Sequence, residues 1–306
     1  MFWNRSFIIK IYRVIAMSSF YKFIDNNLDV IHSLIGGSIK FTPIPELNDP
    51  SELVPNLDID EIKASLQYLR QHGYSEQDMI YLRQQGNLLQ RLAPEVMVIG
   101  IPATQEQASQ VIRLPFFNDI QNLEPQLYRT ATAISSNVGI FCLSQRYDSL
   151  PMWAHYAANA KGFVVEFLES ELKNEFLGDN TGVLNQLIPV RYGQEISGVT
   201  FDPKSHESLF FDKFQDWQYE QEVRIIKPLK ECNKVEYKKT ECQETGIIYL
   251  HQLPFTCIGR VILGWNISPE HRNAVVDYVH SLDSPVEVVQ ARFSIRTGVE
   301  LMSLND

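Results

Sequence analysis

The spacing of apolar residues divides the chain into three parts. From Phe20 to about residue 45, and again from about residue 137 onward, apolar and β-branched residues come in short runs bounded by turn residues, which predicts strands. Between about residues 60 and 136 they recur at helical spacing, as at Ile62, Leu66 and Leu69. The pattern therefore predicts an α+β fold in which a helical insertion, about residues 60–136, interrupts a set of strands.

The same pattern predicts individual elements. The strand-like runs are FYKFI, SIKFTPI, VGIFCLSQ, FVVEFL, LIPVRYG, EVRIIK, GIIYL, GRVILGW and VEVVQARF. The predicted helices outside the insertion are LDVIHSLIGG, LPMWAHYAANAKG, SLFFDKFQDWQ and SPEHRNAVVDYVHSL. Within the insertion, Ser75 and Asp78 have the spacing of a helix N-cap and its partner. Strands and helices do not alternate strictly, and no GxGxxG or GxxxxGK[ST] loop is present, so neither a Rossmann domain nor a P-loop enzyme is indicated.

We predict a single domain for residues 20–306. Residues 1–19 are interpreted as an N-terminal extension, either a leader ahead of a start at Met17 or an amphipathic helix on the domain or on a membrane surface. Lys10 and Arg13 interrupt its apolar run, which is too short to span a bilayer, and no cleavage site follows. We therefore expect neither a cleavable signal peptide nor an integral membrane segment.

Composition narrows the classes of partner. The 306 residues are 44% hydrophobic, which is enough for a substantial core, and they carry a formal net charge of -10. Because affinity for nucleic acid comes largely from lysine and arginine, we expect no nucleic-acid partner. The cysteines have no CxxC or zinc spacing, which is typical of reduced, buried thiols and of a cytoplasmic protein.

The segment WQYEQEVRII, residues 217–226, brings two carboxylates to the entrance of an apolar strand. In an extended chain Glu220, Glu222 and Arg224 share one face. One interpretation is a solvated edge at which Arg224 offsets Glu222. The other is a catalytic pair for glycosidic chemistry, in which Glu222, kept ionised by Arg224, stabilises a positive sugar centre while Glu220 orients the acceptor. We expect a Glu222→Gln variant to fold, because a neutral side chain at a partly exposed site leaves no buried charge unpaired.

Other segments carry candidate ligand-binding side chains. Asn48 and Asp49 stand in the tripeptide NDP, which by itself indicates a turn. His155 and Tyr156 lie on the predicted helix LPMWAHYAANAKG, where a lone histidine is by itself typical of a buried core side chain. Ser144 ends the preceding strand, and we expect its hydroxyl to be free to meet a ligand. No HExxH or GxSxG motif is present, so neither a zinc site nor a serine hydrolase is indicated.

Taken in order, several of these segments resemble a known family. YKFI, IKFTPIPELNDPSE, FCLSQ, MWAHYAANAKGFVVEF, PVRY and WQYEQEVRII resemble a bacterial domain-of-unknown-function family, number 2971, from Phe20 to about Trp265. The layout of that family resembles the ADP-ribosyltransferase fold, which implies a split β-sheet core that grips NAD without a Rossmann loop. The matching motifs are the strand with Tyr21 and Lys22, Ser144 at a strand end, and the Glu-Gln-Glu element.

The resemblance implies an NAD-dependent mono-ADP-ribosyltransferase, with NAD as its substrate and a side chain of a target protein as acceptor. Arginine is the favoured acceptor, because the outer glutamate, Glu220, could pair with a guanidinium. His155 and Tyr156 would lie near the nicotinamide. Such an enzyme would act in the cytoplasm, or as an effector or toxin in a host cytosol.

The resemblance also implies roles for single residues. Glu222 would bind the nicotinamide ribose and stabilise the cationic centre, and Ser144 would place that ribose. Tyr21 and Lys22 would contact the diphosphate or the adenosine side. We expect eight of the candidate residues to converge on one cleft although they come from distant parts of the chain: Tyr21, Asn48, Asp49, Ser144, His155, Tyr156, Glu220 and Glu222.

Two alternatives from other functional classes stay open. The first is a metal-dependent nuclease in which Asp49, Glu220 and Glu222 hold Mg²⁺, although the acidic net charge and the neighbouring Arg224 count against it. The second is a binding module that has kept the fold without the chemistry. The transferase hypothesis itself needs no metal.

Overall fold

The computed structural model describes residues 18–49, 59–92, 94, 102–115, 120–177, 183–196, 208–238, 245–282 and 286–304. All but the last two residues of the predicted N-terminal extension, residues 1–19, lie outside these ranges. Within the described ranges, no helix combines the length and the apolar character needed to cross a membrane.

The described residues form strands on both sides of a group of helices. The strands are β1 Ser19–Ile24, β2 Ser38–Pro43, β3 Val138–Ser144, β4 Phe163–Leu168, β5 Ile188–Pro189, β6 Arg191–Gly193, β7 Asp212–Phe214, β8 Glu222–Pro228, β9 Asn233–Lys238, β10 Thr245–Gln252, β11 Ile258–Leu263, β12 Glu287–Ser294 and β13 Gly298–Ser303. The α-helices are α1 Leu28–Ile35, α2 Ile59–His72, α3 Glu76–Leu92, α4 Gln105–Val111, α5 Ile120–Asn137, α6 Leu150–Tyr156, α7 Glu169–Glu175, α8 Ser208–Phe211 and α9 Pro269–Ser281. The α+β class predicted from the sequence is confirmed.

The main sheet forks at β3. β8 pairs with β3 along its whole length, so β1 and β2 must share the opposite edge of β3. β1 pairs there through Tyr21 and Ser144, and β2 through Thr42 and Ile140. One arm of the sheet continues from β1 through β4, β11 and β12 to β13, and the other from β2 through β10 to β9. We call the gap between β1 and β2 on this edge the fork.

Both faces of the sheet are covered near its centre, as β4 shows. Phe163, Val165 and Phe167 lie in the core cluster that α1 and α9 cover. Val164 points to the other face, where it belongs to a second cluster with Trp153 of α6. Because every residue of such a strand is buried on one side or the other, its sequence reads as a continuous apolar run and not as an alternation.

The described elements between β2 and β3 are helical, in agreement with the helices predicted for about residues 60–136. Ile62, Leu66 and Leu69 are buried in a cluster of their own. The predicted cap is also present: the Asp78 amide donates to Ser75 Oγ over 3.1 Å, and the Ser75 amide donates to the Asp78 carboxylate over 2.8 Å. This reciprocal pair begins α3.

The helix predicted for SLFFDKFQDWQ is wrong. The segment consists of the single turn α8, strand β7 and a 3₁₀ turn at Gln215–Glu220. Its aromatic residues have helical spacing, but Lys213 in the middle is 3% exposed and forms buried ion pairs. Tertiary contacts at this lysine thus override the local helical preference.

The predicted strand LIPVRYG is likewise divided. β5 pairs with β8 in the main sheet, whereas β6 pairs in parallel with β7 in a separate two-stranded sheet. The Val190 amide, between them, donates to the Glu222 carbonyl over 2.9 Å. Because the strand is divided here, the chain passes next to the first residues of β8, where the candidate site lies.

Candidate functional site

A cavity of about 260 Å³ opens at the fork. The middle of β1, the ends of β2 and β3, helix α6, strand β7 and the first residues of β8 contribute to its wall. The polar residues that line it are Tyr21, Lys22, Thr42, Glu46, Asn48, Cys142, Ser144, Tyr156, Lys213, Glu220, Glu222 and Arg224. All of the site residues predicted from the sequence are among them except Asp49 and His155.

A row of polar side chains crosses the sheet at the cavity. Tyr21 in β1 is the cross-strand partner of Ser144 in β3, which is in turn the partner of Glu222 in β8. On the far side of Tyr21 the row continues with Glu166 and Arg260. Burial and the Glu166 carboxylate, which accepts the Tyr21 hydroxyl over 3.2 Å, raise the pKa of Tyr21 to about 12. The phenol therefore stays neutral at physiological pH.

The hydroxyl of Ser144 is not free, contrary to expectation. It donates to the Glu220 carbonyl over 2.7 Å and accepts the Arg146 amide over 3.3 Å. Because Ser144 is 1% exposed, its hydroxyl cannot form hydrogen bonds with bulk water and forms them with nearby backbone groups instead. Its contacts tie the end of β3 to the turn that carries Glu220.

Two glutamates and two cations form a buried cluster at the wall of the cavity, which we call the ionic quartet: Lys213, Glu220, Glu222 and Arg224. The Lys213 ammonium lies 2.8 Å from Glu220 Oε2 and 3.1 Å from Glu222 Oε2. Arg224 binds the Glu222 carboxylate through Nε at 2.8 Å and through Nη2 at 3.0 Å. All four side chains are 5% exposed or less. The formal charges of the quartet cancel.

Glu220 belongs to the ionic quartet, but it does not share a strand face with Glu222 as predicted. It ends the 3₁₀ turn and lies outside β8, and Gln221 after it has a left-handed backbone with φ +42°. The alternation that assigned Glu220, Glu222 and Arg224 to one face of a strand therefore holds only from Glu222 onward. The two carboxylates are near each other because Lys213 lies between them.

Glu222 is buried and ionised. Burial by itself raises the pKa of this carboxyl, but Arg224 and Lys213 outweigh burial and lower it to about 2. The alternative of a solvated edge is wrong, since Glu222 is 4% exposed. The expectation that Glu222→Gln leaves no buried charge unpaired is wrong for the same reason, because Gln would remove the anion that Arg224 and Lys213 share.

The two carboxylates differ in the hydrogen bonds they can still accept. A carboxylate has about four acceptor positions. Glu222 accepts two bonds from Arg224, one from Lys213 and one from the Cys142 thiol. Glu220 accepts the Tyr156 hydroxyl over 2.5 Å and Lys213 over 2.8 Å. Glu220 is therefore the carboxylate with more remaining capacity toward the cavity.

Tyr156 connects Glu220 to the turn after β2. Its hydroxyl donates to Glu220 and accepts the Asn48 side-chain amide over 2.7 Å. Burial and the bond to Glu220 raise the pKa of Tyr156 well above its usual range, so it acts as a neutral donor. These hydrogen bonds hold the side chains of Asn48 and Tyr156 at the wall of the cavity, next to Glu220. The sequence does not indicate that the two residues are hydrogen-bonded to each other.

Lys22 lies at the fork and lines the cavity. Its ammonium donates to the Cys142 carbonyl over 3.0 Å and lies 5.5 Å from the centroid of the Phe141 ring. Burial and the nearby Glu222 carboxylate raise the pKa of the Cys142 thiol far above its usual value, so this cysteine is not a nucleophile at neutral pH. Lys22 is one of three cationic side chains in the cavity lining, with Lys213 and Arg224.

Asp49 and His155 do not line the cavity. Asp49 is 2% exposed, in the turn beyond Asn48. His155 is exposed, and its Nδ1 lies 3.0 Å from the Tyr219 hydroxyl. The interpretation of His155 as a buried core side chain is therefore wrong, because helix α6 turns Trp153 and not His155 toward the sheet.

Sequence reasoning did not identify Lys213 and Tyr192. These residues are direct partners in the small β6–β7 sheet, which delivers both of them to the entrance of β8. The Tyr192 hydroxyl accepts the Glu222 amide over 2.8 Å, while Lys213 holds the Glu222 carboxylate. A lysine within the aromatic run FFDKFQDW is the one sign in the sequence that points to Lys213, because a buried lysine requires acidic partners.

The donor set does not support the magnesium alternative. Among the described residues, no group of three His, Cys, Asp or Glu side chains is arranged to hold a metal ion. Asp49 lies outside the cavity lining, and Glu220 and Glu222 are already neutralised by Lys213 and Arg224. A divalent cation would have to displace these ammonium and guanidinium groups.

A family model described as "Protein of unknown function (DUF2971)" matches residues 152–225. The matched segment runs from α6 into β8 and contains Tyr156, Lys213, Glu220, Glu222 and Arg224. The chain is thus similar to this family over a segment that contains the ionic quartet, whereas the cavity residues of β1, β2 and β3 lie outside the match. The description of the family names no activity. No curated protein and no solved structure matches the chain significantly.

Proposed function

We propose that the cavity binds NAD and that the protein is a mono-ADP-ribosyltransferase, with a protein side chain, arginine favoured, as acceptor. One observation carries the proposal: Tyr21, Ser144 and Glu222 lie side by side on three strands at the fork of a split sheet. These are the positions of the three motifs that resemble those of ADP-ribosyltransferases. The cavity beside them is lined by cationic, phenolic and carboxylate groups.

In the proposed reaction the bond between nicotinamide and the ribose C1′ breaks, and a bond from an acceptor guanidinium nitrogen to C1′ forms. Nicotinamide leaves with the bonding electron pair, and the acceptor nitrogen loses a proton. Glu222 stays ionised, as stabilisation of a cationic sugar centre requires. Glu220 has acceptor positions open for the guanidinium. Lys22 lies at the fork, where it would attract the diphosphate.

The test compares nicotinamide release and labelling of lysate proteins from labelled NAD between the wild type and Glu222→Gln. We expect both rates to fall by about 10²-fold or more, the scale of losing one preorganised electrostatic group. Because this variant also breaks a buried ion pair, Glu166→Gln is the matched control. Glu166 is a buried glutamate of the same row, paired with Arg260, and lies outside the cavity lining.

Assays are run at a temperature at which circular dichroism finds both variants folded. Because both variants are folded under these conditions, equal losses in Glu166→Gln and Glu222→Gln would show that the loss is not specific to the Glu222 carboxylate, and the assignment of Glu222 as the catalytic group would fail. Wild-type protein that neither binds NAD nor releases nicotinamide would overturn the proposal.

One observation favours a second candidate, a binding module without turnover. The Glu222 carboxylate already accepts four hydrogen bonds, so stabilising a sugar cation would compete with Arg224 and Lys213. A module of this kind would gain thermal stability on addition of NAD, since a ligand of the folded state raises the unfolding temperature, and would release no nicotinamide.

A further inference from the structure

A second groove, of about 440 Å³, lies at the outer end of the arm of the sheet that begins at β1. It is formed where the outer strands β12 and β13 meet the first turn of α9 and the residues that follow β11. The polar, charged and large apolar side chains that line the groove include those of Trp265, Arg272, Asn273, Gln290, Arg292 and Met302. None of these residues belongs to the candidate site at the fork.

The groove presents hydrogen-bond donors and positive charge. Arg272, Arg292 and Asn273 contribute guanidinium and amide N–H groups, and none of the described residues that line the groove has a carboxylate. Within the described ranges, neither guanidinium forms an ion pair or a hydrogen bond. Glu300 is the cross-strand partner of Arg292, but their charged atoms are not in contact. By contrast, Arg260, on the same arm of the sheet, forms an ion pair with Glu166.

The remaining walls are held in place by their own contacts. The Gln290 side-chain amide donates to the Gly264 carbonyl over 2.8 Å. Ser268 caps α9 by accepting the His271 amide over 3.2 Å, which orients the first helical turn and Arg272 with it. Trp265 packs between Trp153, at 5.2 Å between ring centroids, and Phe293, at 5.9 Å. These contacts fix the Gln290 side chain, the first turn of α9 and the Trp265 ring, so these parts of the groove wall are preformed.

We propose that this groove binds a small organic anion: a phosphate or carboxylate group that bridges Arg272 and Arg292, attached to an apolar body that contacts Trp265 and Met302. A guanidinium fork matches the geometry of both anions and donates two parallel hydrogen bonds to either. In a chain whose formal net charge is -10, general attraction does not draw an anion to the surface, so binding depends on these two side chains.

The experiment titrates the full chain with phenyl phosphate, benzoate and inorganic phosphate by calorimetry, and follows the tryptophan fluorescence in parallel. Phenyl phosphate or benzoate should bind and change the emission, and inorganic phosphate should bind more weakly because it lacks the apolar body. Arg272→Ala and Arg292→Ala should each weaken binding by about tenfold or more, the scale of one charge-assisted hydrogen-bonded pair. Which organic probe binds more tightly identifies the anion as phosphate or carboxylate.

Arg296→Ala is the matched control, since Arg296 is exposed in the turn between β12 and β13 and does not line the groove. It should bind as the wild type does. The proposal is overturned if none of the three probes binds at millimolar concentration, or if the Arg272→Ala/Arg292→Ala double variant binds as tightly as Arg296→Ala. These outcomes do not depend on NAD chemistry at the fork.

Discussion

Lys213 is the residue on which the candidate site depends most. It is the one side chain of the ionic quartet that contacts both glutamates, and it is 3% exposed. Removing one partner of a buried ion pair leaves an uncompensated charge, which costs about 3–5 kcal/mol. We therefore expect Lys213→Met to lower the free energy of unfolding in urea by about that amount at neutral pH.

The matched control is Lys40→Met. Lys40 also pairs with a glutamate, Glu46, at 3.2 Å, but both side chains are largely exposed. Exposed pairs of this kind contribute about 0–1 kcal/mol. Similar losses in both variants would mean that Lys213 is not the buried bridge that the structure describes.

The ionisation of Glu222 predicts a pH dependence of stability. Its pKa is about 2 in the folded protein, against 4.5 for an ordinary glutamate. Below about pH 4.5 the unfolded chain takes up a proton at this carboxyl that the folded chain does not, so the free energy of unfolding falls as pH drops from about 4.5 toward about 2. The contribution is of the order of 3 kcal/mol at neutral pH.

Urea denaturation between pH 2 and pH 7 measures this slope. Glu222→Gln should be less stable at neutral pH and should lose less stability than the wild type on acidification. Parallel curves for the two proteins would contradict the assignment of a lowered pKa to Glu222.

At the scale of elements, the connection from α6 to β4 is held in an unusual backbone conformation. Ala158, Asn159 and Ala160 follow one another with φ of 48°, 56° and 61°, the left-handed region that favours glycine. The turn is kept by backbone hydrogen bonds, among them the Ala160 amide to the Trp153 carbonyl and the Asn266 amide to the Ala160 carbonyl. It thereby connects helix α6, with Tyr156 at its end, to the turn that carries Trp265.

The strain at Ala158 can be tested by substitution. A non-glycine residue in the left-handed region costs about 1–2 kcal/mol, partly offset by the extra entropy of glycine in the unfolded chain. Ala158→Gly should therefore raise the free energy of unfolding by up to about 1 kcal/mol. Ala154→Gly, at an exposed position within α6, should lower it by about 1 kcal/mol. Two losses of equal size would exclude strain at Ala158.

At the scale of the whole molecule, the fork depends on the close approach of β2 to β3. Gly139 lies at that junction, opposite Pro43. A Cβ at this position would come within 2.7 Å of Phe41 Cβ and of Leu229 Cδ2, so β2 would have to move away from β3. Gly139→Ala should cost about 1–3 kcal/mol, the range for an overpacked core.

Amide hydrogen exchange locates this effect. In Gly139→Ala, exchange should accelerate where Thr42 and Ile140 pair, while the β1–β4 pairs stay protected. Ile140→Val, which removes a methyl group without changing the strand spacing, is the control and should cost about 0.5–1.5 kcal/mol. Unchanged exchange at the β2–β3 junction would argue against a tight fork.

The amino-acid sequence by itself determined the local structure of this protein. The apolar runs of β4 and β8 predicted strands, the helical spacing of Ile62, Leu66 and Leu69 predicted a buried helix face, and Ser75 with Asp78 predicted a cap. These features depend on neighbours within a few positions of the chain, which is the distance over which side-chain periodicity and capping act.

Only the tertiary structure decided how the site is built. The sequence directed attention to the two glutamates but not to their burial, to Lys213 between them, or to the bonds that occupy the Ser144 hydroxyl. The fork is also invisible in the sequence, because it arises where β1 and β2 pair with one edge of a strand that is distant from both along the chain. Burial and ion pairing depend on groups brought together across such distances, and no local pattern of residues records which partner each buried charge will meet.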